Sequence, residues 1–393
     1  MRILWMSNAP WSPSGYGQQT QLFLQRLKSL GHEMSCLAFY GLEGGGLNLN
    51  GIQYLPRMNH PYGNDVSLAY FVTQKADVLI SLMDVWVLNT EDYPVQMTWV
   101  PWYPVDHDPM PAIVRNKLSK AFKRICYSKF GVEMTHNAGL DCYYIPHGID
   151  TNIFHPGDQQ TARANVGWPN DKWVVTTVAM NKGNPSRKNF PEMARGFAAF
   201  HEKHPDTTWF IQALRGDGSN DMINIPELCN NLGLVEGEDW AMPDQFHTAL
   251  GFPPQYIADL NIASDCALLA TAGEGFGLPI LESQACGVPV ITSGWTANKE
   301  LCFAGHLLDK KDAYPYYTSL ASYQFKPRWE AIADALEEEY TNPTSRLVRN
   351  EAAERVKKEY DADVITETMW KPTLIEIEQA RDELWTAQGW EKK

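Results

Sequence analysis

The hydrophobic positions of this chain come in short unbroken runs separated by longer stretches of mixed character. Runs such as Arg2 to Met6 and Val78 to Leu82 have the length and continuity of strands buried on both faces. Gln18 to Leu30 reads as a helix, and Gly31 punctuates it before a second strand from Met34 to Phe39. That is one strand–helix–strand unit, and the pattern repeats. Further strands are expected at Met97 to Trp102, Arg124 to Tyr127 and Cys142 to Ile145. A second set begins at Trp173 to Val178 and continues at Trp209 to Gln212, Cys266 to Ala270 and Val288 to Thr292. Alternation of this kind predicts an α/β protein with parallel sheets. The polar, proline-bearing stretch from His155 to Asp171 divides the two sets, giving an N-terminal domain over 1–160 and a second over 161–372. The acidic stretch from Trp329 onward reads as helices, and the terminal helix, 373–393, is expected to return to the first domain.

The densest local signal is "GEGFGLPILESQACGVPVI", which begins at Gly273. It follows an apolar run and reads as a glycine turn, then a short helix with Pro279 in its first turn, ended by Gly287 before the next strand. Gly275 and Gly277 supply positive φ or close backbone approach. Free N–H groups and the positive end of the helix dipole then face the region beyond the strand's carboxyl end, a ready place for phosphate. Two acids flank the turn. Taken singly, Glu282 is as well explained as a first-turn acid favouring the helix dipole, and Glu274 as a solvated loop residue.

A second loop sharpens the picture. "AMNKGNPSRKNF" follows the strand Trp173 to Val178 and carries Lys182, Arg187 and Lys188 at a strand's carboxyl end. Two adjacent cations neutralise a diphosphate well, Arg by a planar fork and Lys as a point charge. The first strand is followed by Gly15-Tyr16-Gly17, without the third glycine of a dinucleotide fingerprint, and the second strand ends in Ala38-Phe39-Tyr40 without the acid that would hold a ribose. A nicotinamide dehydrogenase is disfavoured.

Composition narrows the setting. At 393 residues and 44% hydrophobic content the chain suits two globular domains of ordinary size. No apolar run reaches the length of a membrane span, and the N-terminal run is too short for a signal peptide, so a cytoplasmic protein is expected. Seven cysteines with no C-x-x-C pair suggest reduced thiols rather than a disulfide framework or a zinc site. Most of the net charge of −14 lies beyond residue 160. Between Arg115 and Lys129 the charge is instead purely basic. Val114, Leu118, Ala121 and Ile125 repeat at helical spacing there, leaving Lys117, Lys120, Lys123 and Arg124 opposite. This is either a solvated helix face or a surface for an anionic partner, such as the inner face of a membrane or a polyanionic acceptor.

Together these stretches resemble the retaining nucleotide-sugar glycosyltransferases of family four, the glycosyl transferases group 1. "SNAPWSPSGYGQQTQ", "YSKFGVEMTHNAGL", "YYIPHGIDTNIFHP", "NPSRKNF" and "YIADLNIASDCALLATAGEGFG" agree with that family in order, and the likeness weakens from Leu301 onward. The resemblance implies the GT-B fold, two Rossmann-like doubly wound domains facing each other across a cleft. The first would be the acceptor side and the second the nucleotide-sugar side. It implies that Glu282 binds the ribose hydroxyls and Glu274 the donor-sugar hydroxyls, while the amides of Gly275, Phe276, Gly277 and Leu278 approach sugar and phosphate. Arg187 and Lys188 would stabilise the diphosphate, Gly15 and Gly17 would belong to a first-domain loop near it, and His107 in "PVDHDP" would touch the donor sugar. Domain closure would bring Gly15 and His107 over the donor.

The resulting expectation is a retaining, metal-independent hexosyltransferase without a cofactor. Its donor is a UDP- or GDP-sugar and its acceptor a lipid-linked or cell-surface glycan, with peripheral membrane contact through Arg115–Lys129. A glycosyltransferase acting on a modified base in DNA and a non-catalytic nucleotide-sugar binder are the alternatives. Strong nonspecific nucleic-acid binding is disfavoured by the net charge. A retaining glycoside hydrolase also uses paired carboxylates but needs no diphosphate site. Asp106-His107-Asp108 and Asp361-Ala362-Asp363 both fit a D-x-D metal motif, which shows how little that pattern discriminates.

Overall fold

The computed structural model describes residues 1–217 and 221–390. Contacts divide the chain into two compact units. The first comprises Met1–Val105, Pro109–Gly148 and Tyr360–Lys393; the second comprises Asp106–Asp108 and Ile149–Glu359. The sequence placed these breaks at 160/161 and 372/373, and positions 391–393 of its terminal helix lie outside the described residues. Among the described residues no helix is long and apolar enough to cross a membrane.

The first unit is built on a sheet of β1 (Arg2–Asn8), β2 (Glu33–Tyr40), β3 (Leu47–Leu49), β4 (Ile52–Pro56), β5 (Val78–Leu82), β6 (Trp99–Tyr103), β7 (Ile125–Cys126) and β8 (Tyr143–Tyr144). The order is β3-β4-β2-β1-β5-β6-β7-β8, with only β3 antiparallel to its neighbour. Strand order reverses between β1 and β5. The unbroken apolar run of β1 reflects burial on both faces. Leu4 and Met6 join Leu37 and Leu79 on one side, while Trp5 packs on the other against Trp102 at 5.9 Å and Trp370 at 6.1 Å. Trp370 comes from the C-terminal segment, whose Arg381 also reaches Asp77 at 3.3 Å.

Two local expectations fail in this unit. The helix expected from Gln18 starts at Gly15 and runs to Ser29, because Ser14 caps it: extended Ser14 accepts from the Gly17 amide at 3.0 Å. Gly15 and Gly17 therefore lie in a helical first turn, not a loop. A Cβ on Gly17 would fall 3.0 Å from the Ala9 carbonyl oxygen and closer still to that of Ser12, so the glycine lets the helix seat against the loop after β1. The basic stretch, likewise, is not one helix. Its helix spans Ala112–Leu118, and Ile125 already belongs to β7. The expected apolar residues are buried, but the cations are engaged locally. Lys117 and Lys120 approach Glu91, Arg115 donates to the Ala138 carbonyl, and Arg124 donates to the carbonyls of Leu118 and Asp141.

The second unit is built on β9 (Trp173–Val178), β10 (Thr207–Gln212), β11 (Trp240–Ala241), β12 (Cys266–Leu269), β13 (Val290–Ser293) and β14 (Gly305–Leu308), followed by a separate hairpin of β15 (Ala313–Tyr317) and β16 (Tyr323–Pro327). The main sheet is parallel in the order β11-β10-β9-β12-β13-β14, so strand order reverses between β9 and β12. Its core gathers Phe190, Phe197, Phe200, Trp209, Ile332 and Leu336. Gly196 lets the helices Phe190–His201 and Trp329–Thr341 touch, since a Cβ there would fall 2.7 Å from Ile332.

Candidate functional site

In an open parallel sheet the crevice at the carboxyl ends of the strands, where their order reverses, is the natural ligand position. In the second unit that point lies between β9 and β12, and the loops that follow these two strands carry the charges singled out in the sequence.

The β9 loop is fixed at both ends by buried asparagines. Asn181 donates to the carbonyls of Leu214 and Ile223 and accepts from the Ile223 amide. Asn189, at φ 60°, donates to Ala270 and Pro327. Between them Arg187 and Lys188 turn toward the β12 loop, while Lys182 points to solvent. Arg187 lies 2.9 Å from one Glu274 oxygen and also donates to the Gly273 carbonyl; Lys188 donates to the other Glu274 oxygen at 2.7 Å. The two loops are also joined through backbone, the Ala272 amide donating to the Arg187 carbonyl at 2.8 Å.

Glu274 is thus no solvated loop residue: it is 7% exposed. Burial alone would raise its carboxyl, but Arg187 and Lys188 outweigh that and hold it at about 2. Lys188 is pulled the other way, its value lowered by burial and by Arg187 against the opposing pull of Glu274. The two shifts favour opposite states of one pair; the short contacts of Glu274 with two cations support the ionised carboxylate and a charged Lys188.

Glu282 also departs from its simplest reading. The helix Leu278–Ala285 is capped by Gly277 at φ 112°, with Pro279 second, so Glu282 falls in the second turn, 4% exposed. It cannot be a first-turn dipole acid. Nearly the whole helix is buried, and its end is pinned by Gln284, which accepts from the amides of Phe303 and Ala304. Its N-cap, Gly277, has no side chain with which to cap the first amides. Gly275, Phe276 and Leu278, in the turn and at the helix start, are buried as well. Cys286, beside Glu282, has its thiol pushed up by burial and is a packing residue.

His107 belongs to the second unit, since residues 106–108 cluster there. It is 5% exposed, with Nδ1 2.6 Å from an Asp106 oxygen and Nε2 2.9 Å from the Thr318 hydroxyl. Asp106 accepts from the Gln324 amide at 3.1 Å and faces Arg187 at 3.9 Å. Burial works against the charged form of Asp106, yet His107 and Arg187 hold its carboxyl below the usual range. Asp108 pairs instead with Lys310 at 3.0 Å, so the two acids of this D-x-D sequence turn to different partners. The backbone of Gly273 runs against the same segment, where a Cβ would fall 2.7 Å from the Asp106 carbonyl oxygen.

The structure therefore gathers His107, Arg187, Lys188 and Glu274 into one charged cluster in the second unit, with the Gly277 turn and Glu282 following in the same β12–β13 connection. Gly15 and Gly17 belong to the other unit. Sequence reasoning missed Asp106 as the partner of His107, and it missed Thr318 and Gln324 altogether. It also missed Asn298, which is fully buried with Oδ1 unpartnered among the described residues, about 3.4 Å from where a Gly277 Cβ would stand.

Residues 236–321 match the family model of the glycosyl transferases group 1. A D-inositol 3-phosphate glycosyltransferase of Acidothermus cellulolyticus is 32% identical over 181 residues, which is 44% of this chain; the chain spans 38% of that protein's length. Among solved structures, a sucrose-phosphate synthase from Thermosynechococcus elongatus aligns over 98% of this chain and all of its own, with a TM-score of 0.73 and 14% identity. Anabaena HepE, solved in complex with UDP-glucose, aligns over 95% of this chain and 99% of its own, at 0.64 and 14%. The chain has the GT-B glycosyltransferase fold, with a Rossmann-like sheet in each unit.

Proposed function

We propose that this chain is a retaining glycosyltransferase that moves a hexose from a nucleotide-diphosphate sugar to a hydroxyl of a lipid-linked or cell-surface glycan, without a metal. One observation carries this reading: Arg187 and Lys188 from one switch-point loop converge on Glu274 from the other, next to a helix whose N-cap is a glycine with no capping side chain.

Breaking a glycosyl phosphate bond leaves negative charge on the departing diphosphate and positive charge on the sugar. The protein gains most by placing cations and N–H donors where the negative charge grows. Arg187, Lys188 and the amides around Gly277 supply them, so charge neutralisation rests on this chain's own groups. Glu274 holds both cations in place before a donor arrives. With phosphate oxygens as their new partners, its carboxylate turns to the sugar hydroxyls. Glu282 binds the ribose and His107 a sugar hydroxyl. Retention follows when the departing phosphate oxygen takes the acceptor proton on the same face, which needs no protein nucleophile. The first unit serves the acceptor. Local pairing of its basic stretch with Glu91 and backbone carbonyls weakens the case for a membrane contact there.

HepE was solved with UDP-glucose, so UDP and UDP-glucose are the first ligands to try. Ligand binding raises apparent stability by mass action. Wild type should be stabilised by UDP-glucose in a thermal-shift titration, with GDP-glucose as the second candidate, and Glu282→Ala should lose the response. Slow release of free glucose without acceptor marks an enzyme, whereas binding with no turnover even across an acceptor panel marks the non-catalytic binder. If no sugar nucleotide shifts the wild type, the reading falls.

A further inference from the structure

The imidazole that the proposed function turns toward the donor sugar is already occupied by a hydroxyl of the chain itself. His107 Nε2 lies 2.9 Å from Thr318 Oγ1, and Asp106 holds the other ring nitrogen at 2.6 Å. Thr318 begins the turn of the β15–β16 hairpin, where its amide donates to the Ser322 carbonyl at 2.9 Å and its hydroxyl lies 3.1 Å from the same oxygen. A secondary alcohol on the imidazole edge is chemically the group a sugar ring presents.

The hairpin that delivers this alcohol forms a sheet of its own, apart from the main sheet. A two-stranded hairpin is marginal in isolation, so its position depends on what it touches. It meets the 106–108 segment through the Asp108 amide on the Tyr323 carbonyl at 3.0 Å and the Gln324 amide on Asp106, and its second strand is anchored by the Phe325 amide on the Ala272 carbonyl at 3.1 Å and by Asn189 on Pro327. The turn itself, Thr318 to Ser322, passes through Ala321 at φ 56°, and Ser319 and Ala321 are exposed. The Leu320 amide also approaches the Thr318 hydroxyl at 3.3 Å, so this hydroxyl has partners within its own turn besides the imidazole.

We propose that Thr318 is a specificity-determining residue of the donor site: its hydroxyl stands in for a sugar hydroxyl on His107, and a nucleotide sugar loads by displacing it. A sugar that offers His107 a well-placed hydroxyl overcomes this competition, whereas one lacking it leaves the imidazole with Thr318. The competition touches only the sugar half of the ligand, so a nucleotide diphosphate without sugar is indifferent to it. This inference rests on the donor-site reading above, and the test separates the two.

The experiment compares calorimetric affinities for UDP and UDP-glucose, and for GDP and GDP-glucose, in wild type, Thr318→Val and Thr318→Ser. Valine keeps the branched shape and removes the hydroxyl. One net hydrogen bond of competition predicts that Thr318→Val tightens the sugar nucleotide by about two- to tenfold while leaving the bare nucleotide unchanged, and that Thr318→Ser restores the wild-type ratio. An unchanged or lowered ratio in Thr318→Val overturns the proposal and leaves the donor site standing. Failure of wild type to bind any of the four overturns both. A second measurement needs no variant: in ¹⁵N-histidine spectra of the wild type, the His107 Nε2 signal should move with the sugar nucleotide and stay in place with the bare one. Equal movement with both overturns the displacement.

Discussion

The two units reverse strand order in the same way, at β1/β5 and at β9/β12, yet the two switch points carry opposite chemistry. Segments 9–25 and 83–98, which follow β1 and β5, contain no lysine or arginine, while segment 179–189 after β9 contains Lys182, Arg187 and Lys188. The helices that follow differ in the same sense. The one after β1 has its N-terminus filled by Ser14, whose hydroxyl accepts from the Gly17 amide and from the Asn8 side chain. The one after β12 begins at Gly277 with no side-chain cap. A common topology offers an anion site twice, and side chains close the first and leave the second open. Topology thus locates candidate sites, and under the proposed function capping together with local charge decides which of them takes a phosphate.

The sharpest way to test this division is to damage each unit where it is most committed. Trp370→Ala removes a fully buried ring that touches Trp5, Phe23 and Trp102, and should cost about 3–5 kcal/mol of stability in urea or thermal unfolding. The surviving folded protein should keep its UDP-induced thermal shift; losing it would show that the donor site draws on the first unit. Arg187→Ala is the converse. Under the proposed function it removes a cation that would face the departing phosphate, so donor turnover should fall about 10²- to 10³-fold, with a smaller loss of stability because Lys188 still pairs with Glu274.

Acid sharpens the contrast further. The Glu274 carboxyl sits at about 2 in the folded chain against an ordinary value of 4.5. A depressed folded value contributes stability that is present above 4.5 and disappears as pH falls toward 2, by about 3 kcal/mol for a shift of this size. Asp106 is lowered as well and adds in the same direction. Between those pH values Glu274→Gln should show a flatter stability profile than wild type, even though it is less stable at neutral pH. Parallel profiles would mean that Glu274 is not the group whose protonation loosens the second unit.

Much of the architecture was legible because buried parallel strands are written as unbroken apolar runs. Val78–Leu82 and Trp173–Val178 begin and end where the sequence places them. The β15–β16 hairpin was not legible, since its alternation of tyrosine, proline and lysine is half exposed and lacks a strong turn pair. The meeting of Arg187, Lys188 and Glu274 could be anticipated from strand ends alone, as two loops on one sheet edge must approach each other. The partners of His107 could not, because Thr318 and Gln324 lie more than two hundred residues away with no local signature. The simplest readings of the two acids in the 273–291 motif give way for different reasons. A helix starting at Leu278 moves Glu282 into its second turn, and cations from a distant loop bury Glu274.

The smallest expected effect bears most directly on capping. Ser14→Ala removes the side-chain cap of the first helix and should cost about 1 kcal/mol, without changing the affinity for UDP or its conjugates. Gly277→Ser runs the experiment in reverse, placing a potential cap at the open helix. At φ 112° any side chain is strained, and its Cβ would stand 3.0 Å from Ile280, so some stability is lost. Nucleotide-sugar affinity should fall well beyond that stability loss, because the new side chain occupies the approach to the first amides. Equal sensitivity of ligand binding to the two substitutions would dissolve the distinction between a closed and an open switch point. If only Gly277→Ser weakens it, the open helix N-terminus is where the donor's phosphate is held.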